Sequence, residues 1–207
     1  MKHWDVLLVR HGESEANVAG KFAVRTWDPH LTEKGRAQAQ QLVPQLNNVP
    51  IRYMVTSPLA RAQETIGPLA KHRGASPVVL DGLAEVDLGE WDGQCLADLA
   101  ESSDSYRAWL KDPDKFPPPG GETIRAVGKR VLSVLEDFFQ DREPGFTVAT
   151  THADCVKGVL MVILEVNGPA TRRLFVPNTG QLLLRRTASG RWIVAFPPLA
   201  LSNAIDP

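Results

Sequence analysis

The sequence predicts an α/β fold, a three-layer sandwich in which helices cover both faces of a mostly parallel sheet. Three observations lead there. Short apolar runs of strand length recur along the chain, segments with helical spacing separate them, and polar clusters containing Arg, His or Glu follow three of the runs. In such folds ligands bind beyond the carboxyl ends of the strands, which is where those clusters fall.

Val6-Leu7-Leu8-Val9 is the first run, apolar on every residue as a strand buried on both faces should be, and Arg10-His11-Gly12-Glu13-Ser14 follows it. Thr32, with Glu33 next, reads as the N-cap of a helix running through Ala37, Leu42 and Leu46. Tyr53-Met54-Val55-Thr56 is a second buried strand. Ser57-Pro58 should open the next helix with proline in its tolerated first turn, and Pro68 should kink or end that helix before Gly74. Val78-Val79-Leu80 is a third strand, leading to the polar segment around Glu85.

Residues 94–111 look helical in two pieces. The stretch from Asp112 to Gly121 carries Pro113, Pro117, Pro118 and Pro119, so it is read as a loop folded over something. Val127, Val131, Val134, Leu135 and Phe138 form the apolar stripe of a long helix, Phe146 to Thr150 is a strand, and a helix should follow His152. Leu182-Leu183-Leu184 and Trp192-Ile193-Val194 close the sheet, with a hairpin turn at Ser189-Gly190.

The chain has 207 residues, most simply one domain spanning residues 1–207. Its 43% hydrophobic and 23% charged residues are ordinary for a globular protein. The net charge of −1 gives no reason to expect a nucleic-acid or membrane partner, so any anion recognition must be local. Cys95 and Cys155 form no spaced pair and read as free thiols. The opening Met1-Lys2-His3-Trp4-Asp5 runs straight into a strand, and no apolar run approaches the ~20 residues of a membrane span. The expected location is the cytoplasm.

Arg10 and His11 stand at a strand terminus before a glycine. Arg61 falls on the first turn of a helix, where the N-terminus already favours anions and a guanidinium adds a bidentate fork. His152 follows another strand. Two imidazoles and two guanidiniums on one sheet edge suit a tetrahedral oxyanion, and Glu85 adds a carboxyl able to give and take a proton.

Leu8-Val9-Arg10-His11-Gly12-Glu13-Ser14-Glu15-Ala16-Asn17 resembles the N-terminal signature of the histidine phosphatase superfamily, which includes the cofactor-dependent phosphoglycerate mutases. The similarity continues in order through Asp28 to Gly35 with Gln38-Ala39, Thr56 to Ala62 with Thr65, Leu83-Ala84-Glu85 with Gly89 and Gly93, Gly120-Gly121-Glu122-Thr123, and Thr151-His152. These blocks cover about residues 5 to 160. Thr151 and Ala153 depart from the Ser and Gly more usual around the second histidine. The resemblance implies that His11 is the nucleophile, Glu85 the proton donor, and Arg10, Arg61 and His152 the phosphate pocket, with Asn17 assisting. It implies neither metal nor organic cofactor.

For that chemistry His11 must present an unprotonated ring nitrogen to phosphorus, its other nitrogen donating to a fixed acceptor such as a backbone carbonyl. Arg10 and Arg61 would stabilise the charge spread over the equatorial oxygens, with His152 a third donor if protonated. Glu85 must be neutral to protonate the departing alkoxide, so partial burial should raise its pKa. Asp87 and Asp154 are competitors for the acid role. The preferred reading is a phosphatase acting on a small phosphorylated metabolite through phosphohistidine. The alternative is mutase-type transfer, which requires water to be excluded and, in the mutases, more sequence between the acid and the second histidine. Behind these stand a non-catalytic phosphate-binding module and a zinc enzyme, the latter disfavoured because the five histidines include no His-x-His or His-x-x-x-His pair. Lys21, Phe22 and Arg25, with Trp27, are candidates for the substrate-binding mouth, as are Trp91, Trp109 and the 112–121 loop.

Overall fold

The computed structural model describes residues 3–24 and 26–196. Its strands are β1 (Trp4–Arg10), β2 (Ile51–Thr56), β3 (Val78–Val79), β4 (Phe146–Thr151), β5 (Gln181–Arg186) and β6 (Trp192–Ala195). They form one sheet in the order β3-β2-β4-β1-β5-β6. The first four are mutually parallel; β5 runs against β1, and β6 pairs antiparallel with β5. The helices are α1 (Glu15–Ala19), α2 (Glu33–Gln45), α3 (Ala60–Arg73), α4 (Leu96–Ser102), α5 (Asp104–Lys111), α6 (Ile124–Phe139), α7 (Ala153–Ile163) and α8 (Gly168–Thr171).

The expected three layers are present because the pleat turns successive strand residues to opposite faces. Leu7 and Val9 pack with Leu42 and Leu46 of the α2 region and Ile66 and Leu69 of α3. Val6 and Leu8 face the other way, into a core with Val127, Val131 and Leu135 of α6 and Val156 and Val159 of α7. A strand covered on both sides has no polar face, which is why the run reads as uninterrupted hydrophobics. Helices α6 and α7 touch through glycine: a Cβ on Gly128 would lie 2.0 Å from the Gly158 carbonyl oxygen.

Several local expectations needed correction. Pro58 precedes α3 rather than opening it; the helix starts at Ala60, and Leu59 at the N-cap offers no side-chain bond. Asp28 supplies the cap from a distant loop, accepting from Ala60 N at 3.0 and 3.1 Å. Of the two outcomes expected at Pro68, a kink or an end, the end is ruled out: α3 runs on to Arg73 and stops at Gly74 in the left-handed conformation (φ 60°). The third strand is only two residues long and its valines are exposed at the sheet edge. The short helices α1 and α8 were not foreseen. Thr32 does cap α2, accepting from Gly35 N at 3.0 Å.

The proline-rich stretch is a loop pinned to the segment carrying Glu85. Glu90 N donates to Pro119 O (3.0 Å), Glu122 N to Asp87 O (2.8 Å) and Asp87 N to the Glu122 carboxylate (2.9 Å). Arg130 of α6 clasps Glu122 with two nitrogens at 2.8 and 2.9 Å and donates to the carbonyls of Gly82 and Ala84 at 2.8 and 3.1 Å. The acid segment is thereby fixed against the C-terminal edge of the sheet.

Candidate active site

Strand order brings the site together. β4 lies between β1 and β2, so the segments leaving β1 (His11), β4 (His152) and β2 (toward Arg61) emerge side by side at one edge. They surround a cavity of about 370 Å³ lined by Arg10, His11, Asn17, Lys21, Phe22, Arg61, Glu85, Asp154 and Asn178, with apolar walls from Val24, Val86, Leu88 and Leu96. The Arg10-His11 pair, Arg61 and Glu85, distant in sequence from one another, share this one cavity.

His11 is 3% exposed, and its Nδ1 lies 2.7 Å from the Gly12 carbonyl oxygen. A carbonyl only accepts, so Nδ1 carries the hydrogen and Nε2 the lone pair. Burial, then the Arg61 charge, pushes the His11 pKa down to about 3, with Arg10 adding to the effect. The ring is therefore neutral across the physiological range. Gly12 N donates to Thr65 Oγ1 at 2.9 Å, and that hydroxyl donates to Arg61 O at 2.6 Å, tying the loop after β1 to the first turns of α3.

Arg10 donates through Nη1 to Val176 O (2.7 Å) and Arg61 through Nη2 to Ala23 O (3.0 Å). Arg10 Nε and Arg61 Nη1 are buried without a hydrogen-bond partner. Burial works against both cations, offset for Arg10 by Glu85 and Asp154 and for Arg61 by Glu85 and Asp28. Buried guanidinium N–H groups are costly to leave unpaired, and both arginines line a cavity of the size and charge for an oxyanion.

Glu85 is partly buried, and Oε1 accepts from Val86 N at 2.9 Å. Its pKa is raised to about 7, first by burial and then by the neighbouring Asp154 charge, against the opposing pull of Arg61 and Lys157. This agrees in direction with the neutral acid expected at this position.

His152 is fully buried and does not line the cavity; its ring sits behind that of His11, centroids 5.2 Å apart. Its expected part as a third donor was conditional on protonation. Burial, followed by Arg61, His11 and Arg10, holds its pKa well below the ordinary histidine value, so it is neutral. Nε2 bonds the Ser57 hydroxyl at 2.8 Å, while Nδ1 is buried without a partner.

Asn17 lines the cavity, its Oδ1 accepting from Ser14 N and from Asn178 Nδ2, both at 3.1 Å. Lys21 and Phe22 also line it, Phe22 meeting Tyr106 and Trp109 edge-on with centroids 6.1 Å away in each case. Arg25 lies outside the described residues. Trp91 and Trp109 are buried core rings packed with Tyr106 rather than parts of the mouth. The 112–121 loop braces the acid segment and is absent from the cavity wall.

Sequence reasoning missed Asn178, which donates to His11 O at 3.2 Å as well as to Asn17. It follows α8 in a stretch with neither apolar spacing nor a recognised block, and beside it Thr179 has φ 55°, an uncommon conformation for a β-branched residue. Asp28, the remote cap of α3, lies 3.9 Å from the Arg61 guanidinium; its position before Pro29 carried no hint of this partner. Among the described residues no group of three or more His, Cys, Asp or Glu side chains is arranged to hold a metal ion.

The chain is 38% identical over 144 residues, 68% of its length, to the adenosylcobalamin/alpha-ribazole phosphatase of Salmonella typhimurium, covering 69% of that protein. It is 29% identical over 78% of its length to phosphoserine phosphatase 1 of Hydrogenobacter thermophilus, covering 77% of that protein. A mycobacterial glucosyl-3-phosphoglycerate phosphatase solved with VO3 superposes with a TM-score of 0.80 at 25% identity, covering 94% of this chain and 98% of that one. Residues 6–197 match the profile of the histidine phosphatase superfamily, branch 1, and the chain belongs to that family.

Proposed function

We propose that the chain hydrolyses small phosphomonoesters through a phosphohistidine at His11, as one catalytic domain, with no metal. The observation that carries this reading is the His11 tautomer: Nδ1–H bonds Gly12 O, so the Nε2 lone pair is available in a cavity that also holds two guanidiniums and a partly buried carboxyl. Relatives named as phosphatases of phosphoserine, alpha-ribazole and glucosyl-3-phosphoglycerate support a small phosphorylated metabolite as substrate.

In the first step His11 Nε2 attacks phosphorus, the N–P bond forms, the ester P–O bond breaks and the leaving oxygen takes the Glu85 proton. Arg10 and Arg61 oppose the charge on the equatorial oxygens. His152, neutral, supports the His11 ring and is itself held by the Ser57 hydroxyl at Nε2. Asn17 and Asn178 orient the rim. In the second step ionised Glu85 takes a proton from water, which attacks phosphorus and releases His11. Lys21 and Phe22 contact the alcohol portion of the substrate.

A phosphatase is favoured over a mutase because Lys21 in the cavity lining is exposed and only 67 positions separate Glu85 from His152, leaving little chain for a lid. Two free thiols, Cys95 and Cys155, fit the reducing cytoplasm as its location, and no helix among the described residues is long and apolar enough to cross a membrane. The test is a panel of phosphomonoesters run beside a 3-phosphoglycerate mutase assay, both without added metal. Release of inorganic phosphate is expected. Phosphoryl transfer to acceptor without phosphate release would make it a mutase, and vanadate binding with no turnover would make it a binding module.

A further inference from the structure

Asp154 lies on the first turn of α7, two residues after His152, and lines the same cavity as Glu85. Two bonds hold this turn against the acid segment: Thr151 Oγ1 donates to Leu83 O at 2.8 Å, and the Cys155 thiol donates to Ala84 O at 3.0 Å. The Asp154 carboxylate accepts from Lys157 Nζ at 2.8 Å, one helical turn on, and both side chains are largely shielded, at 14% and 18% exposure. Glu85 has no cation within 4 Å among the described residues; its Oε1 takes only the Val86 amide. Two partly buried carboxyls on one cavity wall do not both ionise readily.

We propose that Asp154 is a positioning residue for the reaction: fixed by Lys157, its negative charge keeps the catalytic proton on Glu85 until the leaving oxygen collects it. The inference rests on Glu85 being the general acid. The charges around Glu85 are consistent with it. Asp154 is the second cause, after burial, of the rise in its pKa; Arg61 from α3 and Lys157 from α7 oppose it, and Arg10 and Arg130 also feel the Glu85 charge. His11 and His152 are neutral, and burial and Glu85 keep the Cys155 thiol protonated. Among the described residues lining the cavity, Asp154 is thus the anion that bears on the acid.

The experiment compares pH profiles of kcat/KM on an alkyl phosphate, whose poor leaving group requires the proton, for the wild type, Asp154→Asn and Lys157→Met. In Asp154→Asn the alkaline limb should move to lower pH by about 0.5–1 unit, with a ~3–10-fold loss above it. In Lys157→Met, where the Asp154 charge loses its counterion, the limb should move to higher pH. A ¹³C titration of the Glu85 carboxyl in the same proteins should shift in the same two directions. Superimposed carboxyl titrations, or displacement of both variants the same way, would overturn the proposal. A Glu85→Gln enzyme that keeps the wild-type alkaline limb would instead overturn Glu85 as the acid, a separate failure because the carboxyl titration reads the Asp154 effect without turnover.

Discussion

At His11 one carbonyl selects the tautomer, and burial with two guanidiniums keeps the ring neutral, so the Nε2 lone pair is available without a separate base. His11→Ala should abolish the acid-labile phosphoenzyme that rapid quenching of wild type reveals; normal turnover by that variant would falsify the nucleophile assignment. Glu85→Gln should lower kcat/KM on alkyl phosphates by about 10²–10⁴, the range for a positioned acid–base group, and by less on aryl phosphates with better leaving groups. Its effect on stability has a defined sign. A carboxyl raised from 4.5 to about 7 binds its proton more tightly when folded. Its contribution is therefore present below about pH 4.5 and is lost as pH rises through 7. Glu85→Gln should thus gain on wild type by about 1–2 kcal/mol between pH 5 and pH 9, the cavity-side hydration of Glu85 limiting the figure. Parallel urea melts at the two pH values read it; an unchanged difference would refute a raised Glu85.

Among the elements, the acid segment is irregular and depends on its clasp. Arg130 joins Glu122 to the carbonyls of Gly82 and Ala84, so Arg130→Met should destabilise by about 2 kcal/mol and lower kcat more than it raises KM, since phosphate contacts remain. Wild-type kcat in that variant would show that Glu85 is held some other way. The α6–α7 contact is a second dependency. Gly128→Ala would drive a methyl toward the Gly158 carbonyl 2.0 Å away, and should cost at least about 1–3 kcal/mol by thermal or chemical melting. Strands and long helices were legible because periodicity reports burial directly. The start of α3 was not, because its cap, Asp28, comes from 32 residues upstream. Nor were α1 and α8, too short to show a repeat.

For the whole molecule, the parallel order β2-β4-β1 creates the site by aligning three C-terminal strand ends. No step in the proposed chemistry uses a metal, so excess chelator should leave the hydrolysis rate within error of the untreated enzyme; loss restored by zinc would point to a different reaction. His11, Arg10, Arg61 and Glu85 could be picked out in the sequence because each sits at the end of a patterned segment and within a block resembling the family. The sequence by itself thus determined the layers, the strand sites and the residue types gathered there, since alternating burial and special side chains leave local marks. Only the tertiary structure decided that His152 is a neutral ring behind His11, that Trp91 and Trp109 are core, and that Asn178 and Asp154 share the cavity. Those outcomes depend on burial and on charges brought near from other parts of the chain, and neither quantity is written in the spacing of residues along it.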